Sequence, residues 1–182
     1  LADLLCEFRR SHPDWGARKL LKVLRGRHPE IEDWPAASAA MEDHLWQTRG
    51  LHIARAVFVA APAAGYGIFD PRPTNVFAPG EPVLIYAEPR GYGYGDRGEG
   101  IAELGFAIDL RVLDAAGTEL GNYPDILQLG FLTRSRNREF MANLRYDLTG
   151  LPPGDYRLET TFRDRHGPGS ARVTSDMTIA AP

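Results

Sequence analysis

One cysteine, two lysines and no long apolar run are the shortages that first constrain this chain of 182 residues. The lone Cys6 cannot form an internal disulfide, so the fold must be held by packing rather than by covalent staples. The longest apolar stretch, residues 54–65, is interrupted by Arg55 and Pro62 and falls short of the roughly 20 residues that a membrane-spanning helix requires. No membrane insertion is expected. A surplus of one charge sign is missing too. The 21 basic and 24 acidic residues leave a net charge of -3, which gives no global attraction to nucleic acid or anionic lipid. Of the cations, 19 are arginine and two are Lys19 and Lys22. What is present suffices for a packed core, because 43% of the residues are hydrophobic and 10% aromatic, a composition unlike that of disordered chains. The chain opens on Leu1 rather than methionine, so a start that lies further upstream or was removed is expected and the compartment is left open.

Two grammars divide the sequence. In residues 1–56, Leu1, Leu4, Leu5 and Phe8 recur at helical spacing, and His12-Pro13, His28-Pro29 and Trp34-Pro35 each break the pattern. Asp14 is placed to cap a second helix over residues 17–24, with Leu20, Leu21 and Leu24 inward. Ser38 is placed to cap a third, with Met41 and Leu45 inward and Gly50 just past its end. Three short helices are therefore expected. From about residue 66 the period changes to two. Leu104, Phe106, Ile108, Leu110 and Val112 alternate with smaller or polar residues, as do Phe140, Ala142, Leu144, Tyr146 and Leu148, and again Tyr156, Leu158, Thr160 and Phe162. Val173, Met177 and Ile179 end the series, and Pro/Gly/Asp-rich turns separate the runs. About seven such strands point to an antiparallel β-sandwich over residues 57–182. The expected class is thus α+β, a three-helix bundle over residues 1–56 followed by a sandwich. Residues 1–56 hold nine basic and eight acidic groups, residues 57–182 hold 12 and 16.

The string His12-Pro13-Asp14-Trp15-Gly16-Ala17-Arg18-Lys19-Leu20, followed by Trp34-Pro35-Ala36-Ala37-Ser38 and Arg49-Gly50-Leu51, resembles the helix-turn-helix segment ahead of the catalytic core in insertion-sequence transposases of the retroviral-integrase type. It covers about a quarter of the chain. The resemblance implies binding to duplex DNA, with Arg9, Arg10, Arg18, Lys19 and Lys22 on phosphates and Ser38, His44, Gln47 and Arg49 near bases or backbone. It does not imply cutting, since three metal-binding carboxylates in an α/β core find no place after Leu51. The phrases Gly150-Leu151-Pro152-Pro153-Gly154-Asp155-Tyr156-Arg157-Leu158 and Val76-Phe77-Ala78-Pro79-Gly80-Glu81-Pro82 resemble turns of bacterial immunoglobulin-like and fibronectin-like modules. These imply architecture rather than activity.

Three further features carry chemistry. Gly65-Tyr66-Gly67 and Gly91-Tyr92-Gly93-Tyr94-Gly95 set Tyr66, Tyr92 and Tyr94 on glycine-rich backbone, suited to stacking on a ligand or to folding over a sheet edge. Arg134, Arg136 and Arg138 recur at period two, a cationic strip suited to an anionic partner or to protecting an edge strand. Asp96, Glu99 and Glu103 read as a solvated loop rather than a calcium site, and the five histidines form no ligand set. No cofactor, metal or catalytic residue is expected. The leading expectation is a non-enzymatic, DNA-binding chain, cytoplasmic in that case. The alternative is a cell-envelope or periplasmic sandwich that binds a protein or polysaccharide through its tyrosines and arginine strip.

Overall fold

The period-two runs become strands whose apolar positions are buried. In a computed structural model, residues 7, 8, 10–12, 17–29, 39, 42, 43, 45, 46 and 48–181 are described. The chain divides into two compact units, Leu1–Arg49 and Gly50–Pro182.

In the first unit one helix is delineated among the described residues, α1 over Ala17–Arg27. Arg25 and Arg27 sit in its last turn, where cations complement the negative end of the helix dipole. Leu24 is buried, the His28 amide closes the final turn onto the Leu24 carbonyl at 2.9 Å, and Pro29 follows where a helix would otherwise continue. Arg27 lies 5.3 Å over the ring of Phe8, which also packs at 4.7 Å from His12. Helical backbone occurs at Glu7, Phe8, Arg10 and Ser11 and at Ala39, Glu42, Asp43, Leu45, Trp46 and Thr48.

The second unit is built from β1 (His52–Phe58), β2 (Val76–Phe77), β3 (Val83–Arg90), β4 (Gly95–Asp96), β5 (Ala102–Asp114), β6 (Glu119–Thr133), β7 (Ala142–Tyr146), β8 (Gly154–Asp164) and β9 (Ser170–Ile179). One sheet has three strands in the order β1-β3-β7. The other has six, β2-β9-β8-β5-β4, with β6 pairing β5. Leu104, Phe106, Ile108, Leu110 and Val112 of β5 share the core with Val83 and Ile85 of β3, Leu144 of β7, and Leu158 and Phe162 of β8. Each such side chain, fully buried, contributes about 1.5–3 kcal/mol. Phe106 meets Phe162 edge to face at 5.9 Å, a geometry favoured by the ring quadrupoles.

This architecture corrects the expected α+β class. The described residues are predominantly β with one short helix, and they form no three-helix, helix-turn-helix bundle. The regular antiparallel immunoglobulin-like sandwich is corrected as well. The sheets are curled and unequal, β2 joins β9 in parallel, and β5 and β6 run 13 and 15 residues. The physical reason lies in the bulges. Register shifts between Ile53 and Arg55, Ile108 and Leu110, and Val112 and Leu113 insert unpaired residues, and each bends and twists its strand. The division falls after Arg49, and the segment from His52 to Phe58 pairs with β3 as a strand of the second unit.

Candidate anion-binding surfaces

The helix α1 reads ARKLLKVLRGR, five basic residues and no acidic one in 11. The 3.6-residue period places Leu24 on one side and Lys19, Lys22 and Arg25 on the other. Leu24 is 1% exposed, while Lys19, Lys22 and Arg25 are all exposed. Their long stems allow three cationic heads to follow an anionic surface. Over residues 1–49 eight basic and eight acidic groups balance, and five of the eight basic ones fall within these 11 residues. Of the other residues expected to meet DNA, Arg10 and Arg49 are exposed. Arg9, Ser38, His44 and Gln47, and the side chain of Arg18, lie outside the described residues. Arg25 is absent from the set that the transposase-like string implies, although its position three residues after Lys22 marks it.

The second surface lies at one end of the β unit, where the tyrosine loop meets the arginine strip. Gly93 and Gly95 make the approach possible. A Cβ on Gly93 would fall 2.4 Å from the His166 carbonyl oxygen, and one on Gly95 would fall 2.5 Å from the His166 ring. The Gly93 amide donates to Asp164 Oδ2 at 2.7 Å, and Asp164 Oδ1 accepts the His166 amide at 2.9 Å. His166 in turn lies 3.3 Å from Glu103, which also accepts from Arg97 Nε at 2.6 Å. The alternating glycines are therefore docking points, and the tyrosines between them face the other way.

Tyr92 is wholly buried and packs edge to face on Phe106 at 5.6 Å. Burial pushes its hydroxyl pKa well above the usual tyrosine range. Its hydroxyl donates to the Asn137 carbonyl at 2.7 Å, and the Tyr94 hydroxyl donates to the same oxygen. Asn137 Oδ1 accepts the Glu139 amide at 2.9 Å, so the segment carrying the arginines is ordered from both sides. Tyr94, Asp96, Ile101, Ala102, Arg134 and Arg136 line an open cleft of about 260 Å³. The Arg136 guanidinium lies 5.7 Å over the Tyr94 ring, a cation–π geometry. Arg134 is exposed and holds no ion pair among the described residues, whereas Arg72, Arg97, Arg111, Arg157, Arg163 and Arg172 each hold a carboxylate.

The remaining expected residues are placed differently. Tyr66 accepts a 2.5 Å hydrogen bond from Arg90, and Arg138 is only partly exposed and interacts electrostatically with Tyr92. Asp96 is turned onto its own loop, where Oδ1 accepts the Gly98 amide at 2.8 Å. No group of three His, Cys, Asp or Glu side chains among the described residues is arranged to hold a metal ion. None of the described helices is long and apolar enough to cross a membrane. Asn137, Asp164 and His166, which position the cleft, carry no sequence signal, because their part depends on neighbours far along the chain.

Neither a known protein family nor a curated protein matches the chain. With no family match and no three-helix bundle among the described residues, the resemblances to a transposase helix-turn-helix segment and to immunoglobulin-like or fibronectin-like modules are corrected. Among solved structures the chain is similar to the alkylpurine DNA glycosylase AlkC of Pseudomonas fluorescens bound to DNA containing an abasic site analogue. The two are 12% identical with a TM-score of 0.34 over 99% of this chain and 46% of that one. The chain thus spans about half the length of that protein.

Proposed function

We propose that this chain is a non-catalytic DNA-binding protein whose helix α1 contacts the phosphates of duplex DNA. The observation that supports the reading is the segregation of charge on α1. Five cations and no carboxylate occupy 11 residues, with Lys19, Lys22 and Arg25 exposed opposite the buried Leu24. Cations in this number neutralise a few phosphates and release the counterions condensed on them, so binding is electrostatic, salt-sensitive and indifferent to sequence. A partner of the protein or polysaccharide class on the tyrosine loop is less favoured, because Tyr92 is buried and Tyr66 is engaged by Arg90.

The test is fluorescence anisotropy of a labelled duplex titrated with the full chain and with the Lys19→Glu/Lys22→Glu variant. Reversing two charges is expected to weaken binding and to reduce the salt slope by about one for each phosphate left without its cation. Equal affinity and equal slope for both proteins would remove α1 from the interface.

A further inference from the structure

We propose that the cleft between the tyrosine loop and the arginine strip is a second, separate binding site, one that holds the phosphate of a nucleotide unit. The inference does not depend on the part assigned to α1. Two segments far apart in sequence, Tyr94-Gly95 of the tyrosine loop and Arg134-Ser135-Arg136 of the arginine strip, are brought to one cleft of about 260 Å³. They are held there by a shared acceptor, the Asn137 carbonyl, which takes the hydroxyl hydrogens of both Tyr92 and Tyr94. That construction fixes the backbone immediately after Arg136, and Arg134 and Arg136 both line the cleft.

The chemistry of the lining identifies the ligand class. The Arg134 guanidinium presents a planar fork of N–H donors that matches the oxygens of a phosphate, and Arg136 beside it adds a second positive charge. Arg134 holds no ion pair among the described residues, and it is exposed at the cleft edge. Asp96, the carboxylate in the lining, is directed to the Gly98 amide at 2.8 Å. Ile101, Ala102 and the Tyr94 ring add an apolar wall for a sugar or base attached to that phosphate. The Arg136 guanidinium, 5.7 Å over that ring, is oriented by the π face before any ligand arrives. The cleft therefore suits a phosphate ester bearing a flat or apolar group, whether a free nucleotide or one unit of a nucleic-acid strand.

The experiment uses the full chain, with arginine Nε–Hε signals followed by NMR during titration with inorganic phosphate, thymidine 5′-monophosphate and a short oligothymidylate. Saturable shifts at Arg134 and Arg136 are expected with the monophosphate. The Arg134→Ala/Arg136→Ala variant, its fold checked by circular dichroism, is expected to bind roughly tenfold or more weakly. The Lys19→Glu/Lys22→Glu variant is expected to keep the shifts, which separates this site from α1. Oligothymidylate binding more tightly than the monophosphate would identify a strand as the source, and equal affinities would identify the free nucleotide. No saturable shift with any probe, or shifts that survive the double arginine substitution, would overturn the proposal.

Discussion

The buried hydroxyl of Tyr92 donates to the main-chain carbonyl of Asn137 across 2.7 Å, tying residue 92 to a segment 45 positions later. Through this bond a core side chain sets the position of an exposed arginine strip. Removing only the hydroxyl, in Tyr92→Phe, is expected to cost about 1 kcal/mol, because Tyr94 still satisfies the same oxygen. Removing the ring, in Tyr92→Ala, is expected to cost about 3–5 kcal/mol, since the edge-to-face packing on Phe106 is removed and a cavity is left behind. Urea unfolding measures both, and faster amide exchange around Asn137 is expected in each.

Gly93 offers a sharper test of how the loop is docked. A methyl group there would meet the His166 carbonyl oxygen at 2.4 Å, and backbone rather than a flexible side-chain end would have to move. Gly93→Ala is expected to destabilise by about 1–3 kcal/mol and to shift the signals of the residues around Tyr94. An unchanged unfolding midpoint would show that the loop does not sit against His166.

Acid sensitivity should arise where arginines hold carboxylates. Hydrogen bonds from Arg163, at 2.9 and 3.0 Å, hold the Asp109 carboxyl below its ordinary pKa, as Arg72 does for Glu81. A depressed folded-state pKa contributes stability that is fully present above the unfolded value, near 4, and is lost as pH falls through the folded one. Stability is therefore expected to be level above about pH 5 and to fall below about pH 4. Asp109→Asn should flatten part of that fall in urea midpoints measured against pH.

Alkaline sensitivity has a different source. Burial pushes the Tyr146 hydroxyl up to about 12, against a weaker opposing effect of its 3.1 Å hydrogen bond with Thr160. Here the folded-state pKa is raised, so its contribution is complete below the unfolded value of about 10 and is lost as pH rises through 12. Tyr146→Phe is expected to reduce the loss of stability between those two values, read from thermal unfolding at a series of alkaline pH values.

The strands that line the core are legible in the sequence, and the edge of the fold is not. The alternation in residues 142–146 and 156–162 matches the buried positions of β7 and β8, because a half-buried strand imposes period two on its own residues. The apolar positions of 104–112 are buried in β5, which is covered on both faces from Glu103 to Ile108. β6 carries no such signal. Gly121, Pro124 and Gly130 interrupt it, its pattern does not alternate, and it pairs only with β5, leaving Leu120, Tyr123, Ile126, Phe131 and Leu132 exposed. Its bulge at Asp125, with φ of 51°, depends on Asp109 accepting the Asp125 amide at 2.9 Å, an interaction that no local pattern encodes. The tyrosine motif is visible as a string, but the division of labour within it is not. Its glycines serve the close approach to His166 and its Tyr92 enters the core, which leaves Tyr94 at the cleft. The arginine strip is visible as spacing, but its meeting with Tyr94 depends on residues more than 40 positions apart.

The most direct test of the central claim is the salt dependence of duplex DNA binding by the unmodified full chain, from about 50 to 200 mM monovalent salt. If the exposed cations of α1 hold phosphates, log affinity should fall linearly with log salt, with a slope of about -0.9 for each phosphate neutralised. A duplex that remains unbound even at about 50 mM, or an affinity that does not change with salt, would contradict the account.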